Sequence, residues 1–185
     1  MPSFVEQNQR FTFDDGQWSV VEYDEHRDYH QRIAKLSGTK AVDFVGLQDG
    51  EDGVLYWIEV KDFRGYRIQN KRRLSGDELA QEVSEKVRDS LAGVVGAYQT
   101  STEWEVWKPF VRALWRKTSI RVLLWLEEDS VPGPRGRRDN AAQVLSKKIK
   151  QNLKWLTARV FVAGQAVGGG PEGFVVDDLP GVGQA

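Results

Sequence analysis

The run SIRVLLWLEED, beginning at Ser119, constrains the fold more than any other stretch of the chain. It is apolar without alternation and closes on SVPGPRG, which cannot continue a strand. A strand of this kind needs both faces covered, so it belongs in the interior of a sheet with layers on either side. Two more runs, AVDFVGL at 41–47 and VLYWIEVK at 54–61, are rich in β-branched and aromatic residues and are separated by QDGEDG. Adjacent antiparallel strands joined by a polar turn are the expected result.

Helical spacing fills the intervals. DEHRDYHQRIAKLSG predicts a helix over about 25–37, ending at Gly38. Leu79, Val83, Val87, Leu91 and Val94 fall three or four apart and predict a helix over 77–97 with one buried stripe. A further helix is expected to begin near Lys108, because Pro109 fits a first turn better than an interior. A last one is expected over 139–155, before the strand LTARVFVAG. The alternating RFTFDDGQWSVVEYD suggests a hairpin or edge strand turning at DDG. With 185 residues, one domain with one core is expected over 1–185, the core spanning about 18–163 and residues 164–185 forming a Gly-rich tail. The GGG of that tail lacks the lysine and helix of a phosphate loop.

Composition removes several classes of function. The chain has no cysteine, so disulfides and thiolate metal sites are excluded, which is compatible with a reducing cytoplasm. MPSFVEQNQRF lacks a basic region followed by an apolar run, and no stretch approaches the ~18 apolar residues of a membrane span. A cytoplasmic protein with no membrane partner is the expectation. The net charge of -1 gives no global signal for nucleic acid, but the charge is uneven. Arg64, Arg67, Lys71, Arg72 and Arg73 cluster without an acid among them, and RGRRDNAAQVLSKKIKQNLK adds a second basic region with Lys147, Lys148, Lys150 and Lys154.

The chemistry concentrates in YWIEVK. Period two puts Trp57, Glu59 and Lys61 on one strand face and Ile58 and Val60 on the other. A carboxylate and an ammonium in such a strand are costly to bury without a partner. Asp43, inside the neighbouring apolar run, supplies a second carboxylate that can converge on Glu59. Two adjacent carboxylates repel unless a cation lies between them, and hard oxygen donors suit Mg²⁺ or Mn²⁺. The backbone carbonyl of Val60 is available as a further ligand. Lys61 would then orient or deprotonate an attacking water, or stabilise a pentavalent phosphorus.

Asp43, a gap of fifteen residues, and then Glu59-Val60-Lys61 resembles the D…(D/E)-x-K motif of the PD-(D/E)XK nuclease superfamily. The resemblance implies an α/β restriction-endonuclease-like three-layer fold, with a central mixed sheet flanked by helices and an αβββαβ core. It implies metal-dependent phosphodiester hydrolysis, usually of DNA, with Asp43 and Glu59 holding the metal and Lys61 as the catalytic lysine. Val42 stands where the motif has its optional proline. Many members carry a further acid on the first core helix, for which Glu22 and Glu25 are the candidates here and Glu25 is favoured. A polar residue on the helix after the lysine strand would be Gln81 or Glu82. Arg64, Arg67, Lys71, Arg72 and Arg73 would contact the nucleic-acid backbone. Cutting both strands of a duplex calls for two active sites, hence a homodimer or larger complex. The alternative is a non-catalytic nucleic-acid-binding or assembly subunit that retains the fold.

Of the seven tryptophans, Trp57, Trp125 and Trp155 are expected in the core, and Trp104 and Trp107 at an exposed contact or dimer face. His26 and His30 are spaced as a metal pair but lack the HExxH context, so a helix-surface pair is expected.

Overall fold

The computed structural model describes residues 1–50, 53–65, 77–129 and 136–180. Its centre is a five-stranded mixed sheet built from β3 (Trp18–Glu22), β4 (Phe44–Gln48), β5 (Val54–Asp62), β6 (Ser119–Glu127) and β7 (Val160–Ala163), in that spatial order. The first three strands form an antiparallel meander, and β6 and β7 follow in parallel. Parallel neighbours need crossovers. Helices α2 (Glu78–Thr100) and α3 (Trp104–Trp115) make the first, and α4 (Gly136–Leu153) makes the second. The unbroken apolar run at Ser119–Glu127 is β6, with strands on both sides.

The helices flank the sheet as expected, and they gather on one face. Leu79, Val83, Val87 and Val94 of α2, Trp107 and Val111 of α3, and Leu145 and Ile149 of α4 share one core with Val45, Trp57, Val122 and Leu124. The opposite face is closed by a small second sheet instead. It comprises β1 (Ser3–Glu6), β2 (Gln9–Phe13) and β8 (Phe174–Asp178), in the order β1-β2-β8. Phe11, Phe13 and Phe174 press onto Phe44, Ile58, Val60 and Trp125. Gln9, fully buried, locks the layers together: its amide oxygen accepts from Trp125 Nε1 at 3.1 Å and its nitrogen donates to Asp178 at 3.2 Å.

Several expectations are corrected here. The residues around DDG do not form a hairpin, because β2 and β3 enter different sheets; the edge-strand alternative holds, since β3 is the edge of the five-stranded sheet. The Asp14 carboxylate closes that turn by accepting from the Gly16 N–H at 2.9 Å. The hairpin lies earlier, at Gln7-Asn8 between β1 and β2. The Gly-rich tail contributes β8, which pairs with β2 along its whole length. The first helix is short, Arg27–Gln31 (α1), followed by a 3-10 turn at Ile33–Lys35. Helix α3 begins at Trp104 and carries Pro109 inside it. Its apolar stripe of Trp107, Phe110 and Val111 is buried, and this packing outweighs the hydrogen bond that proline removes. Trp107 is therefore core, while Trp155, just beyond α4, is 57% exposed.

One glycine is dictated by close approach. A Cβ at Gly93 would lie 1.9 Å from the buried hydroxyl oxygen of Tyr23, so only glycine lets α2 sit this close to the end of β3. Among the described residues, no helix is long and apolar enough to cross a membrane.

Candidate metal centre

Strand β4 starts at Phe44, paired with Ile58, whereas β5 runs on to Asp62. The last residues of β5 therefore lack a β4 partner, and their backbone groups must be satisfied in another way. The Asp43 carboxylate accepts from the Val60 N–H. Gln7, at the tip of the β1–β2 hairpin, accepts from the Asp62 N–H at 2.8 Å and donates to the Val60 carbonyl at 3.4 Å. Gln7 itself takes a left-handed backbone, φ 53°, so its side chain can imitate a strand partner at the cost of some strain. The hairpin thereby brings Glu6 to the edge of β5.

The register that pairs Phe44 with Ile58 puts Asp43 beside Glu59 on the helix-covered face. The loop carrying Asp43 is clamped by α2: the Lys40 N–H donates to Asp89 at 3.1 Å and the Val42 N–H to Ser90 at 2.9 Å. The Tyr23 N–H donates to the Asp43 carbonyl at 2.7 Å, which sets Asp24 next to Asp43. One carboxylate oxygen from each of Glu6, Asp24 and Asp43 falls within 4.8 Å of the others, a spacing a single cation can span.

Glu59 is fully buried and makes the adjoining charge network. Its Oε1 lies 2.7 Å from Lys61 Nζ and 2.6 Å from Lys86 Nζ, while Oε2 has no hydrogen-bond partner among the described residues. Lys86 also reaches Asp43, at 3.7 Å, so one ammonium touches both carboxylates of the sequence motif. Lys61 is held on its other side by Glu82 at 3.1 Å.

Burial and mutual repulsion shape the protonation of these acids. Asp43, 4% exposed, is pushed up to about 7 chiefly by burial, against the pull of Lys86 and the Val60 N–H. Asp24 is likewise pushed up to about 7 by burial and by Glu6. Glu59 is raised by burial and then by Asp43, and Glu6 by burial and then by Glu59. Burial opposes the Lys61 ammonium, but Glu59 and Glu82 outweigh it and hold its pKa above the ordinary lysine range.

The donor set of Glu6, Asp24 and Asp43 fits a hard divalent cation, being all carboxylate oxygen and including one buried oxygen, Asp24 Oδ1, without a hydrogen-bond partner among the described residues. A pH effect follows. Acids raised above their unfolded values near 4 stabilise the fold while protonated, so that contribution is full below ~4 and is lost as pH rises through about 7. In EDTA, the melting temperature of Asp24→Asn protein is expected to gain on wild type between pH 5 and pH 8. Mn²⁺ at pH 8 should raise wild type more than the variant. A difference in melting temperature that stays constant with pH would refute the raised protonation.

The other sequence candidates are placed as follows. Glu25 is exposed, and the additional acids at Asp43 are Asp24 and Glu6. Arg64 is engaged by Asp62 at 2.7 Å and Asp178 at 2.8 Å. Arg67, Lys71, Arg72 and Arg73 lie outside the described residues. Gln81 is exposed and donates to Glu85 at 2.9 Å, whereas Glu82 belongs to the Lys61 network. His26 accepts from the Asp28 N–H at 3.0 Å as the cap of α1, and His30 is exposed. Glu6, Asp24 and Lys86 escaped the sequence reading. Lys86 shares a helix face with Glu82, four residues before it on α2, a spacing that marks the face as polar and no more.

A mixed α/β fold with a central sheet flanked by helices and an acidic cluster able to hold a metal ion defines the class of this protein. Comparison with known proteins finds no matching family model, no matching curated protein and no matching solved structure.

Proposed function

We propose that the chain is a Mg²⁺- or Mn²⁺-dependent nuclease of the PD-(D/E)XK type, hydrolysing phosphodiester bonds in nucleic acid, with DNA as the first substrate to try. The observation that carries this reading is the convergence of Asp43 and Glu59 on one ammonium, beside Lys61 and the acids Glu6 and Asp24. The antiparallel meander followed by a parallel strand, with the acid ahead of the middle strand and E-x-K on the third, supports the same family.

In this reading Asp43, with Glu6, Asp24 and Glu59, holds the cation. When bound, the cation supplies Lewis-acid polarisation of a phosphoryl oxygen and a lowered pKa for water. The chain's own residues do the rest. The Val60 N–H fixes the rotamer of Asp43, and the α2 clamp on residues 40–42 fixes its backbone. Lys61, held between Glu59 and Glu82, puts a positive charge where charge develops on the phosphate. Lys86 balances Asp43 and Glu59 while no phosphate is bound.

A second reading, a non-catalytic binding or assembly subunit, is favoured by one feature: Lys61 and Lys86 already neutralise Glu59 from within. Incubating the protein with labelled single-stranded DNA, duplex DNA and RNA, with Mg²⁺ or Mn²⁺ and with EDTA, separates the two. Cleavage that requires the metal supports the nuclease. Binding without cleavage of any of these substrates by folded protein supports the second reading and rejects the first.

A further inference from the structure

Helix α3 turns its apolar stripe inward and leaves a different ridge outside. Trp104, Lys108, Arg112 and Arg116 are spaced four apart, and Trp115 adjoins them. Trp104 is 39% and Trp115 69% exposed, unusual for the largest side chain in the chain. Tyr98 of α2 meets both indoles edge-on, with ring centroids 5.9 Å and 6.1 Å apart, so they are braced rather than covered. Lys108 lies over the Trp104 ring at 5.1 Å.

The ridge, about 18 Å long at 1.5 Å per residue, continues into an open cavity of about 1100 Å³ lined by Arg112, Arg116, Lys117 and Arg159, with Asp49 as the acid of its wall among the described residues. Along α3 itself the acid is Glu105, since Glu103, just ahead of it, is spent on Arg27 at 3.1 Å. At the Trp104 end, Glu103 ties the start of α3 to Arg27 of α1.

We infer that this ridge and cavity bind single-stranded nucleic acid, the indoles stacking on bases and the arginines and lysines holding phosphates. Two features select that occupant. The cations call for a polyanion, and the exposed Trp115 ring, with Trp104 beside it under Lys108, calls for a ligand with unpaired planar groups, which a duplex conceals in its own stack. Protein interfaces also favour Trp and Arg but are depleted in Lys, so it is Lys108 and Lys117 beside the arginines that favour a polyanion over a protein partner. The choice of occupant rests on the nucleic-acid reading above, but the site is separate from the metal centre.

The test is fluorescence anisotropy of a labelled oligothymidylate of about 20 nucleotides titrated with full-length protein in EDTA, where no metal-dependent cleavage occurs. Wild type should bind in a salt-dependent manner and prefer the single strand to duplex of the same length. Trp115→Ala and the double variant Trp104→Ala/Trp115→Ala should weaken binding, the latter by about tenfold or more. Arg112→Ala/Arg116→Ala should flatten the slope of log affinity against log salt by about 1.4. Arg10→Ala, on the second sheet that closes the face opposite the helices, should leave affinity within about twofold. Circular dichroism confirms that each variant is folded.

The inference is overturned by absence of binding, by ridge variants that bind as wild type, by a control that loses as much, or by preference for duplex. It is also overturned if ridge variants alter only the sedimentation mass, which would make the ridge a contact between copies of the chain. Binding without any metal-dependent cleavage would sink the nuclease reading and leave this inference standing.

Discussion

Asp43→Asn protein is expected to fold, to keep its place in the sheet, and to cleave no nucleic acid in Mg²⁺ or Mn²⁺ above the level seen in EDTA. Asparagine preserves size and an oxygen that can still accept from the Val60 N–H, so the end of β5 remains satisfied. What disappears is the charge that links Glu6 and Asp24 on one side with Glu59 and Lys86 on the other. Lys61→Ala should behave differently. It removes a positive charge near the phosphate rather than a ligand, so cleavage should fall on the order of 10²–10³-fold while the cation is still bound. Gel-based cleavage rates beside near-UV circular dichroism check both, and an Asp43→Asn protein that cuts at wild-type rates would end the proposed chemistry.

The second large effect is on stability. Trp107→Ala should lower stability by about 3–5 kcal/mol, or roughly 6–20 °C in melting temperature for a chain of this size. Trp107 is fully buried at the junction of α3, α1 and the end of β3. Its ring meets Tyr23 edge-on at 5.6 Å and His26 at 4.7 Å. Its Nε1 donates to Asp28 at 2.7 Å, and Asp28 is itself 2% exposed. Burial pushes the Asp28 carboxyl up, but hydrogen bonds from Trp107 and Arg32 among others prevail and hold it below the usual range. Truncation therefore leaves a cavity and also strips one partner from a buried carboxylate. Because Tyr23 leads directly into Asp24, the same variant should bind Mn²⁺ more weakly. Trp107→Phe, which keeps most of the ring but not the donor, should lose distinctly less; equal losses would show that the indole packing is not what matters.

The core of the site was legible because it obeys local rules. Asp43 interrupts one apolar run and Glu59 and Lys61 sit at period two in another, so a pairing of neighbouring strands was enough to bring them together. Glu6 was hidden because its position depends on a hairpin from a second sheet whose tip docks on β5 through Gln7. Asp24 was not weighed against Glu22 and Glu25, because nothing local to the sequence places the turn after β3 beside Asp43. The Tyr23 N–H bond to the Asp43 carbonyl extends the β3–β4 ladder, and Asp24 is delivered to the site while Glu25 is exposed. Lys86 lies on a helix face that helical spacing marks only as polar.

The layers show the same division. Apolar strand runs demanded cover on both faces, and both are covered. That the second cover is a three-stranded sheet could not be read locally, since β8 lies amid glycines and pairs with a strand more than 160 residues away in sequence, Gln9 opposite Asp178. Trp155 misled for a simpler reason: it has apolar neighbours in sequence, but the helix ends at Leu153 and Trp155 lies exposed beyond it.

Uptake of Mn²⁺, followed by loss of the free-ion electron paramagnetic resonance signal at pH 7.5, tests the central claim most directly. Wild-type protein should deplete the signal, and Asp43→Asn and Asp24→Asn proteins, folded by circular dichroism, should leave it close to that of buffer. Depletion by both variants equal to that of wild type, or none by wild type, would mean that these carboxylates do not gather around a cation.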